Sequence, residues 1–181
     1  GEGGAVFVLE NVERVRQRQR NPLAEVASVG LSSDAYHLVI PNPDPTQAIA
    51  ALQQALHEAQ LNPEDVDYVN AHATGTPVGD VCEARVLQTV FGTHTSRIPV
   101  SATKSMTGHL VSAAAAVEAV ACLTAITYGA IPPTVNLDHP DPQCDLCHVA
   151  NETRPHRVRV AVSNSYGFGG HNSSLVLKAL R

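Results

Sequence analysis

The sequence predicts an α/β domain built on a mixed β-sheet. Short apolar runs typical of strands, such as residues 66–71 and 98–102, alternate with longer segments in which apolar residues recur at helical spacing. Alternating strands and helices indicate a sheet covered by helices. The chain has 181 residues, enough for one domain with a hydrophobic core.

Strands are expected where short apolar runs are bounded by turn residues. The segment from Pro132 to Arg154 is predicted to be irregular, because it opens on two prolines and is rich in proline and aspartate. The Gly-rich segment 164–171 is predicted to be a turn. The expected strands cover residues 5–9, 23–30, 66–71, 98–102, 158–163 and 174–179.

Helices are expected where apolar residues recur every three or four positions. Thr46 and Asp80 are positioned to cap the N-termini of two of them, and Gly129 to end a third. The last helix is apolar on nearly all sides, which is typical of a helix buried all round. The expected helices cover residues 11–20, 46–59, 80–91 and 110–128.

Charge argues against a nucleic-acid-binding protein. The formal net charge is −5, and Lys104 and Lys178 are the only lysines, whereas a nucleic-acid binder shows a basic patch or stripe. Charged residues make up 16% of the chain, below the usual quarter, so much of the surface is expected to pack against another polypeptide segment. The one basic cluster is either a solvated helix face or a docking patch for an acidic carrier protein; it comprises Arg14, Arg16, Arg18 and Arg20.

No membrane span and no signal peptide are expected. The longest apolar run, residues 110–126, is interrupted by Glu118, and the N-terminus lacks a basic region followed by an apolar one. Nothing requires an oxidising compartment, so the cytoplasm is the expected location. A chain that starts within a Gly-rich segment without an initiator Met is expected to be cut from a longer polypeptide.

The cysteines leave some alternatives open. Cys82 and Cys122 lie in apolar helical patterns and are expected in the core. Cys144, Cys147 and His148 match the CxxCH pattern of haem attachment, and a metal site is also conceivable. Neither a second haem ligand nor a metal-ligand set is evident nearby, so chance loop cysteines are favoured and no metal is expected.

Polar, Gly-containing loops follow strand ends or join a strand to a helix, at the places where open α/β sheets put their sites. One contains His72, a second contains Lys104 and His109, and the third is the Gly-rich segment 164–170. The histidines can donate ring N–H groups, and the lysine supplies positive charge. Gly167, Gly169 and Gly170 leave backbone N–H groups open to an oxyanion.

Taken together, these motifs resemble those of β-ketoacyl synthases. The run Tyr68-Val-Asn-Ala-His-Ala-Thr-Gly-Thr-Pro-Val-Gly-Asp80 is similar to the family's first histidine motif, and Ser101-Ala-Thr-Lys-Ser-Met-Thr-Gly-His109 to its lysine and second histidine motif. Ser163-Asn-Ser-Tyr-Gly-Phe-Gly-Gly-His-Asn172 resembles the closing Gly-Phe-Gly-Gly motif. Residues 1–10 resemble the segment that follows the nucleophile half. The resemblance covers essentially the whole chain and is closest to synthase II-like members.

The resemblance implies a thiolase-like layered α-β-α-β-α fold, of which this chain is the C-terminal half. Residues 1–33 would close the N-terminal half, and residues 34–181 would form the C-terminal ketoacyl-synthase domain. The activity implied is decarboxylative Claisen condensation of malonyl-acyl-carrier-protein with an acyl thioester, in fatty acid or polyketide synthesis. Implied partners are the acyl carrier protein and a second copy of the full-length enzyme. No cofactor is implied apart from the 4'-phosphopantetheine of the carrier protein.

Roles for individual residues also follow from the resemblance. His72 and His109 would hydrogen-bond the thioester oxygen, and Lys104 would organise the pair while bonded to Glu83 or its neighbours. Thr74 and Thr76 would contact pantetheine. Phe168 would act as a gate whose backbone N–H holds the oxyanion together with that of Gly169. Structural roles near the site fall to Asp80 in helix capping, Glu83 in lysine pairing, and Gly170.

The chain also departs from the family pattern. The family nucleophile is a cysteine on a tight strand-to-helix turn, and no cysteine here has that setting, so the isolated chain is expected to be inactive. His171 stands where threonine is usual, and Tyr166 where phenylalanine is common. Alternatives are a non-catalytic chain-length-factor-like subunit, a thiolase, and an inactive scaffold or truncated pseudogene product.

Overall fold

The fold is an α/β sandwich in a computed structural model that describes residues 1–180. Short 3₁₀ turns at Pro63–Asp65, Gly92–Ser96 and Val111–Ala113 connect some of the elements. In chain order the helices and strands are α1 (Val12–Gln17), β1 (Glu25–Ser33), α2 (Thr46–Glu58), β2 (Tyr68–Asn70), α3 (Pro77–Phe91), β3 (Pro99–Ser101), α4 (Lys104–Thr107), α5 (Ala114–Tyr128), β4 (Ala130–Ile131), β5 (Cys147–His148), β6 (Arg154–Pro155), β7 (Val160–Gly167) and β8 (His171–Lys178).

The main sheet is mixed, as the sequence predicts. Its strand order is β1-β8-β7-β2-β3-β5, while β4 and β6 form a separate two-stranded sheet. Strands β7, β2, β3 and β5 run parallel, and β8 is antiparallel to both β1 and β7. The carboxyl ends of β2, β3 and β7 therefore lie at the same end of the sheet, where open α/β sheets place ligands.

Helices cover both faces of this sheet. Side chains of α2 and α3, such as Leu52 and Leu87, pack on one face against Val69 and Val162. Side chains of α5 pack on the other face against the intervening strand residues, such as Tyr68. Successive strand residues point to opposite faces, so each short strand contributes to both cores.

The predicted strand over residues 5–9 is wrong. This segment has no assigned secondary structure, and Val6 and Val8 are 95% and 89% exposed. Within residues 1–180 no strand pairs with it, and a strand without a ladder partner is not stable in water. An apolar run alone could not show whether a partner was present.

Several helix boundaries also differ from the prediction. Helix α3 begins at Pro77 and is capped by Thr76, whose side-chain oxygen accepts from the Gly79 N–H. Thr46 is the first residue of α2 rather than its N-cap, and its N–H donates to the Asp44 side chain.

The predicted loop after β3 contains the single-turn helix α4. The predicted end of α5 is confirmed, because Gly129 adopts the left-handed conformation at its C-terminus.

Residues Val111–Tyr128 meet the length and composition requirement for a membrane-crossing helix, with a mean hydropathy of 1.6. A core helix of a soluble protein meets the same requirement. Here Glu118 forms a buried ion pair with Lys104 in the middle of the segment, and Ala119, Cys122 and Ala125 pack against the sheet. One face of the helix therefore packs in the core, but only 28% of the segment is buried, so the expectation of a helix buried all round is wrong for residues 1–180.

Substitution of Gly30 by Ala should destabilise the domain. Strand β1 approaches α2 so closely here that a Cβ on Gly30 would lie 1.8 Å from the carbonyl oxygen of Ala51. The backbones would have to separate, at a cost of about 1–3 kcal/mol or more in the free energy of unfolding. Urea denaturation measures this cost, with Gly4→Ala as the control because a Cβ there meets nothing within 4 Å. Equal midpoints for the two variants would contradict the prediction.

Candidate active site

The polar residues singled out in the sequence meet at the carboxyl ends of β2, β3 and β7. His72 follows β2, Lys104 opens the single-turn helix after β3, and His109 follows that helix. The turn between β7 and β8 carries Phe168. Because these strands are parallel, segments far apart in the chain lie side by side.

Lys104 links the first histidine to a buried carboxylate. Its Nζ lies 3.3 Å from His72 Nδ1 and forms an ion pair with Glu118 of α5. Lys104 and Glu118 are both almost fully buried. A protonated lysine donates only, so His72 Nδ1 must accept. The proton of a neutral His72 ring is therefore on Nε2.

His109 has the same tautomer for a different reason. Its Nδ1 accepts the backbone N–H of Val111 at 3.3 Å, so the proton of its neutral ring is also on Nε2. The two rings stand edge to face, with centroids 5.7 Å apart and an interplanar angle of 87°. Within residues 1–180 neither Nε2 atom has a hydrogen-bond partner, so the site contains two neighbouring imidazoles whose Nε2–H groups are free for a ligand.

The electrostatics favour the neutral form of both rings. Burial, together with the positive charge of Lys104 and then the neighbouring His109, lowers the pKa of His72 from 6.5 to about 3. Burial and then Lys104 also lower the pKa of His109. Two neutral imidazoles can donate hydrogen bonds to an oxygen that gains negative charge without first losing a proton to it.

An NMR titration of the ring protons should therefore give His72 a midpoint near 3 rather than 6.5. The unfolded chain binds this proton near pH 6.5 and the folded chain only near 3, so acidification across that window should favour unfolding. Lys104→Met should raise the midpoint, since it removes the neighbouring charge. A midpoint close to 6.5 in the folded wild-type protein would contradict this account.

The Gly-rich turn is held by backbone hydrogen bonds. The N–H of Gly169 donates to the Leu38 carbonyl at 2.8 Å, and that of Gly170 to the Gly167 carbonyl at 3.2 Å. These two groups are therefore not open to an oxyanion, which corrects the expectation for Gly169 and Gly170. Within residues 1–180 no acceptor takes the N–H of Phe168, whose side chain is 65% exposed.

The site borders two cavities. One, of about 490 Å³, is lined by both histidines together with Phe168, Tyr166 and Cys82. The other, of about 680 Å³, lies beyond His109 and the Thr74–Thr76 loop; its lining includes Lys104, Val135, Leu137, His139, Cys144 and His148. His109, Thr74 and Thr76 line both cavities.

Comparison with known proteins identifies this arrangement. The family model described as the C-terminal domain of beta-ketoacyl synthases matches residues 23–138. The chain belongs to the beta-ketoacyl synthase family. The motif resemblance predicted from the sequence is thereby confirmed.

Related synthases are similar along nearly the whole chain. The 3-oxoacyl-[acyl-carrier-protein] synthase 2 of Coxiella burnetii is 45% identical over 177 residues, which is 98% of this chain and 43% of that protein. The synthase of the same name from a Synechocystis species is also 45% identical, over 178 residues, with the same coverage. The chain thus spans less than half the length of these curated relatives.

Solved ketosynthase structures superpose closely on the domain. A ketosynthase described in complex with its type II polyketide synthase acyl-carrier protein matches with a TM-score of 0.92 and 34% identity, over 95% of this chain and 42% of its own. A beta-ketoacyl synthase from Burkholderia phymatum matches with a TM-score of 0.88 and 34% identity, over 95% of this chain and 41% of its own. The domain is thus the C-terminal half of a thiolase-like synthase fold.

Glu83 does not pair with the lysine of this synthase domain, contrary to the expectation. Its carboxylate accepts the backbone N–H groups of His72 at 3.0 Å and Ala73 at 2.8 Å, and the Asn164 side chain at 3.3 Å. Burial raises the pKa of Glu83 to about 6. Glu83 fixes the loop that carries His72, and Glu118 is the lysine's partner. A lone carboxylate in an otherwise apolar helix is the signal that could have marked Glu118 as a buried charge, although it does not show which residue is its partner.

The threonine loop is organised by Asp80. Its Oδ1 accepts the backbone N–H groups of Gly75 and Thr76, each at 3.1 Å. The hydroxyl oxygens of Thr74 and Thr76 lie 3.3 Å apart. Asp80 therefore stabilises the N-terminus of α3 from within the first turn, while both threonines remain at the cavity walls.

The CxxCH residues do not converge on one point. Cys144 and His148 line the larger cavity, whereas the Cys147 Sγ lies 3.3 Å from Arg154 Nη1. Cys144 lies at the end of a turn, where its N–H donates to the Asp141 carbonyl at 2.8 Å, whereas Cys147 is the first residue of β5. In the described part of the chain no group of three or more metal-ligating residues is positioned to hold a metal ion.

Proposed function

We propose that this domain provides the histidine and lysine half of an acyltransferase that condenses malonyl-acyl-carrier-protein with an acyl thioester. The observation that supports this most directly is the pair of neutral imidazoles, His72 and His109, whose Nε2–H groups are both free for a ligand. Two such donors are suited to an oxygen that becomes negatively charged during reaction. Thioester enolates have such an oxygen.

Decarboxylation is the step that these donors assist. The bond between the malonyl carboxylate and its α carbon breaks, carbon dioxide leaves, and the electron pair moves into an enolate whose charge lies on the thioester oxygen. His72 and His109 donate to that oxygen, and each donor of this kind is worth about 2.7–4 kcal/mol of barrier. Lys104, held by Glu118, fixes the His72 tautomer and keeps its ring neutral.

Condensation then joins the two substrates. The enolate carbon attacks the carbonyl carbon of an acyl group held as a thioester on a cysteine outside residues 1–181. The resulting tetrahedral oxyanion accepts the free N–H of Phe168. Its collapse re-forms the carbonyl and expels the cysteine thiolate, leaving a β-ketoacyl thioester on the carrier protein. On this proposal residues 1–181 are inactive in condensation without that cysteine.

The carrier protein is the proposed partner. Its 4'-phosphopantetheine arm would pass Thr74 and Thr76 at the cavity wall, and the chain itself would need no cofactor. The related ketosynthase described with its acyl-carrier protein supports this partner. The names of the curated relatives support fatty acid synthesis, and the polyketide synthase neighbour keeps polyketide synthesis as a second pathway. We further propose that the complete synthase is a homodimer and that it is located in the cytoplasm.

Release of labelled carbon dioxide from malonyl-carrier protein tests the proposal. The complete synthase that contains residues 1–181 should release it, and so should a variant without the nucleophile cysteine. A chain-length-factor-like subunit or an inactive scaffold would release none, and a thiolase would instead cleave acetoacetyl-CoA with free CoA. Absence of malonyl-dependent release would refute the proposal.

A further inference from the structure

The single-turn helix that carries Lys104 has little stability of its own. Helix α4 has four residues, and so short a helix is not stable in water by itself. At its N-cap the Thr103 hydroxyl accepts the Asn70 side chain at 3.1 Å rather than a helix N–H. On the side of β5, the ladder of β3 has already ended at Val100. The position of Lys104 therefore depends on contacts with other segments.

The irregular segment between β4 and β5 supplies two such contacts, and they are reciprocal. The hydroxyl oxygen of Thr134 accepts the backbone N–H of Ala102 at 2.8 Å. The Ser105 hydroxyl in turn accepts the backbone N–H of Val135 at 2.9 Å and donates to the Ala102 carbonyl at 2.8 Å. These bonds flank the lysine on both sides in the chain.

The same irregular segment is itself fixed to the main sheet. The N–H of Thr134 donates to the Val149 carbonyl, and the Thr134 carbonyl accepts the N–H of Asn151, both at 2.8 Å. Val149 is 1% exposed, and its N–H donates to the Val100 carbonyl at 2.9 Å. The backbone of Thr134 is therefore a firm support, and its hydroxyl connects that support to the end of β3.

The placement of Lys104 matters because its Nζ contacts two groups at once. It lies 3.3 Å from His72 Nδ1 and forms the buried ion pair with Glu118 of α5. If α4 moved, the contact with His72 would lengthen beyond a hydrogen bond, and the ring could then adopt either neutral tautomer. Misplacement of a reacting group by about 1 Å can cost 100-fold in rate.

We propose that Thr134 and Ser105 are positioning residues, whose reciprocal hydrogen bonds hold Lys104 where it fixes the Nε2–H tautomer of His72. Both residues line the larger cavity, whereas His72 lines the smaller one. They therefore act through Lys104 rather than on the atoms that react. The use of this tautomer in malonyl decarboxylation rests on the proposed function.

Thr134→Val tests the proposal, because it removes the hydroxyl acceptor and nearly keeps the side-chain shape. In the complete synthase, kcat for malonyl decarboxylation should fall about 10-fold to 100-fold, with little change in KM. Nitrogen NMR of isotopically labelled histidine should show a mixture of tautomers for the His72 ring. Thr134→Ser, which keeps the hydroxyl, should retain both wild-type properties. A wild-type kcat and an unchanged His72 signal in Thr134→Val would overturn the proposal.

A buried threonine elsewhere separates positioning from stability. Thr95 is 6% exposed, its hydroxyl donates to the Gly92 carbonyl at 2.8 Å, and it is absent from the lining of both cavities. Thr95→Val should lower the melting temperature and leave the His72 signal unchanged. The same tautomer mixture in Thr95→Val would mean that loss of stability alone produces it, against the proposal.

Ser105→Ala is the second variant, for the case that Thr134→Val does not fold. Ser105 is exposed, so its replacement should be tolerated while the N–H of Val135 loses its acceptor. It should give the same tautomer mixture for His72, and an unchanged His72 signal would overturn the proposal. The NMR signal does not depend on substrate. Absence of decarboxylation by the wild-type synthase would therefore reject the proposed function alone.

Discussion

His72→Ala and His109→Ala should each slow malonyl decarboxylation by the complete synthase about 100-fold to 1,000-fold. Each variant removes one of two donors to the enolate oxygen, a loss of about 2.7–4 kcal/mol of transition-state stabilisation. Carbon dioxide release under saturating malonyl-carrier protein measures the effect. The rate constant should fall much more than KM rises, because the donors act on charge that develops during reaction.

His57→Ala is the matched control for these variants. His57 is an exposed histidine in the last turn of α2, and it is absent from the lining of both cavities. Its replacement should leave decarboxylation within about twofold of the wild-type rate, as expected for a surface substitution away from the site. Near-normal carbon dioxide release from His72→Ala and His109→Ala would disprove the assigned roles.

Removal of either partner of the Lys104–Glu118 pair should destabilise the domain by about 3–5 kcal/mol, because an uncompensated charge is left buried. Lys104→Met and Glu118→Leu each remove one charged partner and leave the other buried. The double variant should recover much of the lost stability, since apolar replacement of a whole buried pair is often neutral. It should still lack decarboxylation, because nothing then fixes the His72 tautomer.

The exposed pair Arg159–Asp67 provides the comparison for chemical denaturation. The Arg159 Nη2 and Asp67 Oδ1 atoms are 3.6 Å apart, and the Arg159 side chain is 60% exposed. Arg159→Ala should cost no more than about 1 kcal/mol. If Lys104→Met cost as little as Arg159→Ala, the buried pair would not have the role given to it here.

The sheet and the convergence of the site could be predicted from the sequence because they follow from local patterns. Apolar runs mark β2, β3 and β7, and polar residues directly after them mark the end of the sheet where His72 and Lys104 meet. Parallel pairing then brings these loops together. The Gly129 terminus of α5 was predictable for the same reason, since a left-handed residue at a helix end favours glycine.

Side-chain partners could not be predicted in this way. Glu83 and Glu118 are both acidic residues on helices, and sequence separation gives no reason to choose one as the partner of Lys104. The choice depends on which face of the sheet each helix covers: α3 lies on one face and α5 on the other. The N–H groups of Gly169 and Gly170 donate to the carbonyls of Leu38 and Gly167. These bonds depend on where the loop that carries Leu38 lies and on the shape of the turn, and the Gly-rich motif specifies neither.

The position of β8 inside the sheet has a consequence for synthesis of the chain. Strand β8 lies between β1 and β7, with Glu25 of β1 paired to Lys178. During translation β1 emerges from the ribosome about 150 residues before the strand that joins it to the rest of the sheet, at roughly 5–20 residues per second. Throughout that interval β1 has an unpaired edge, which is a template for wrong pairing between nascent chains. Folding yield should therefore depend on chaperones that cover this edge until residue 178 has emerged.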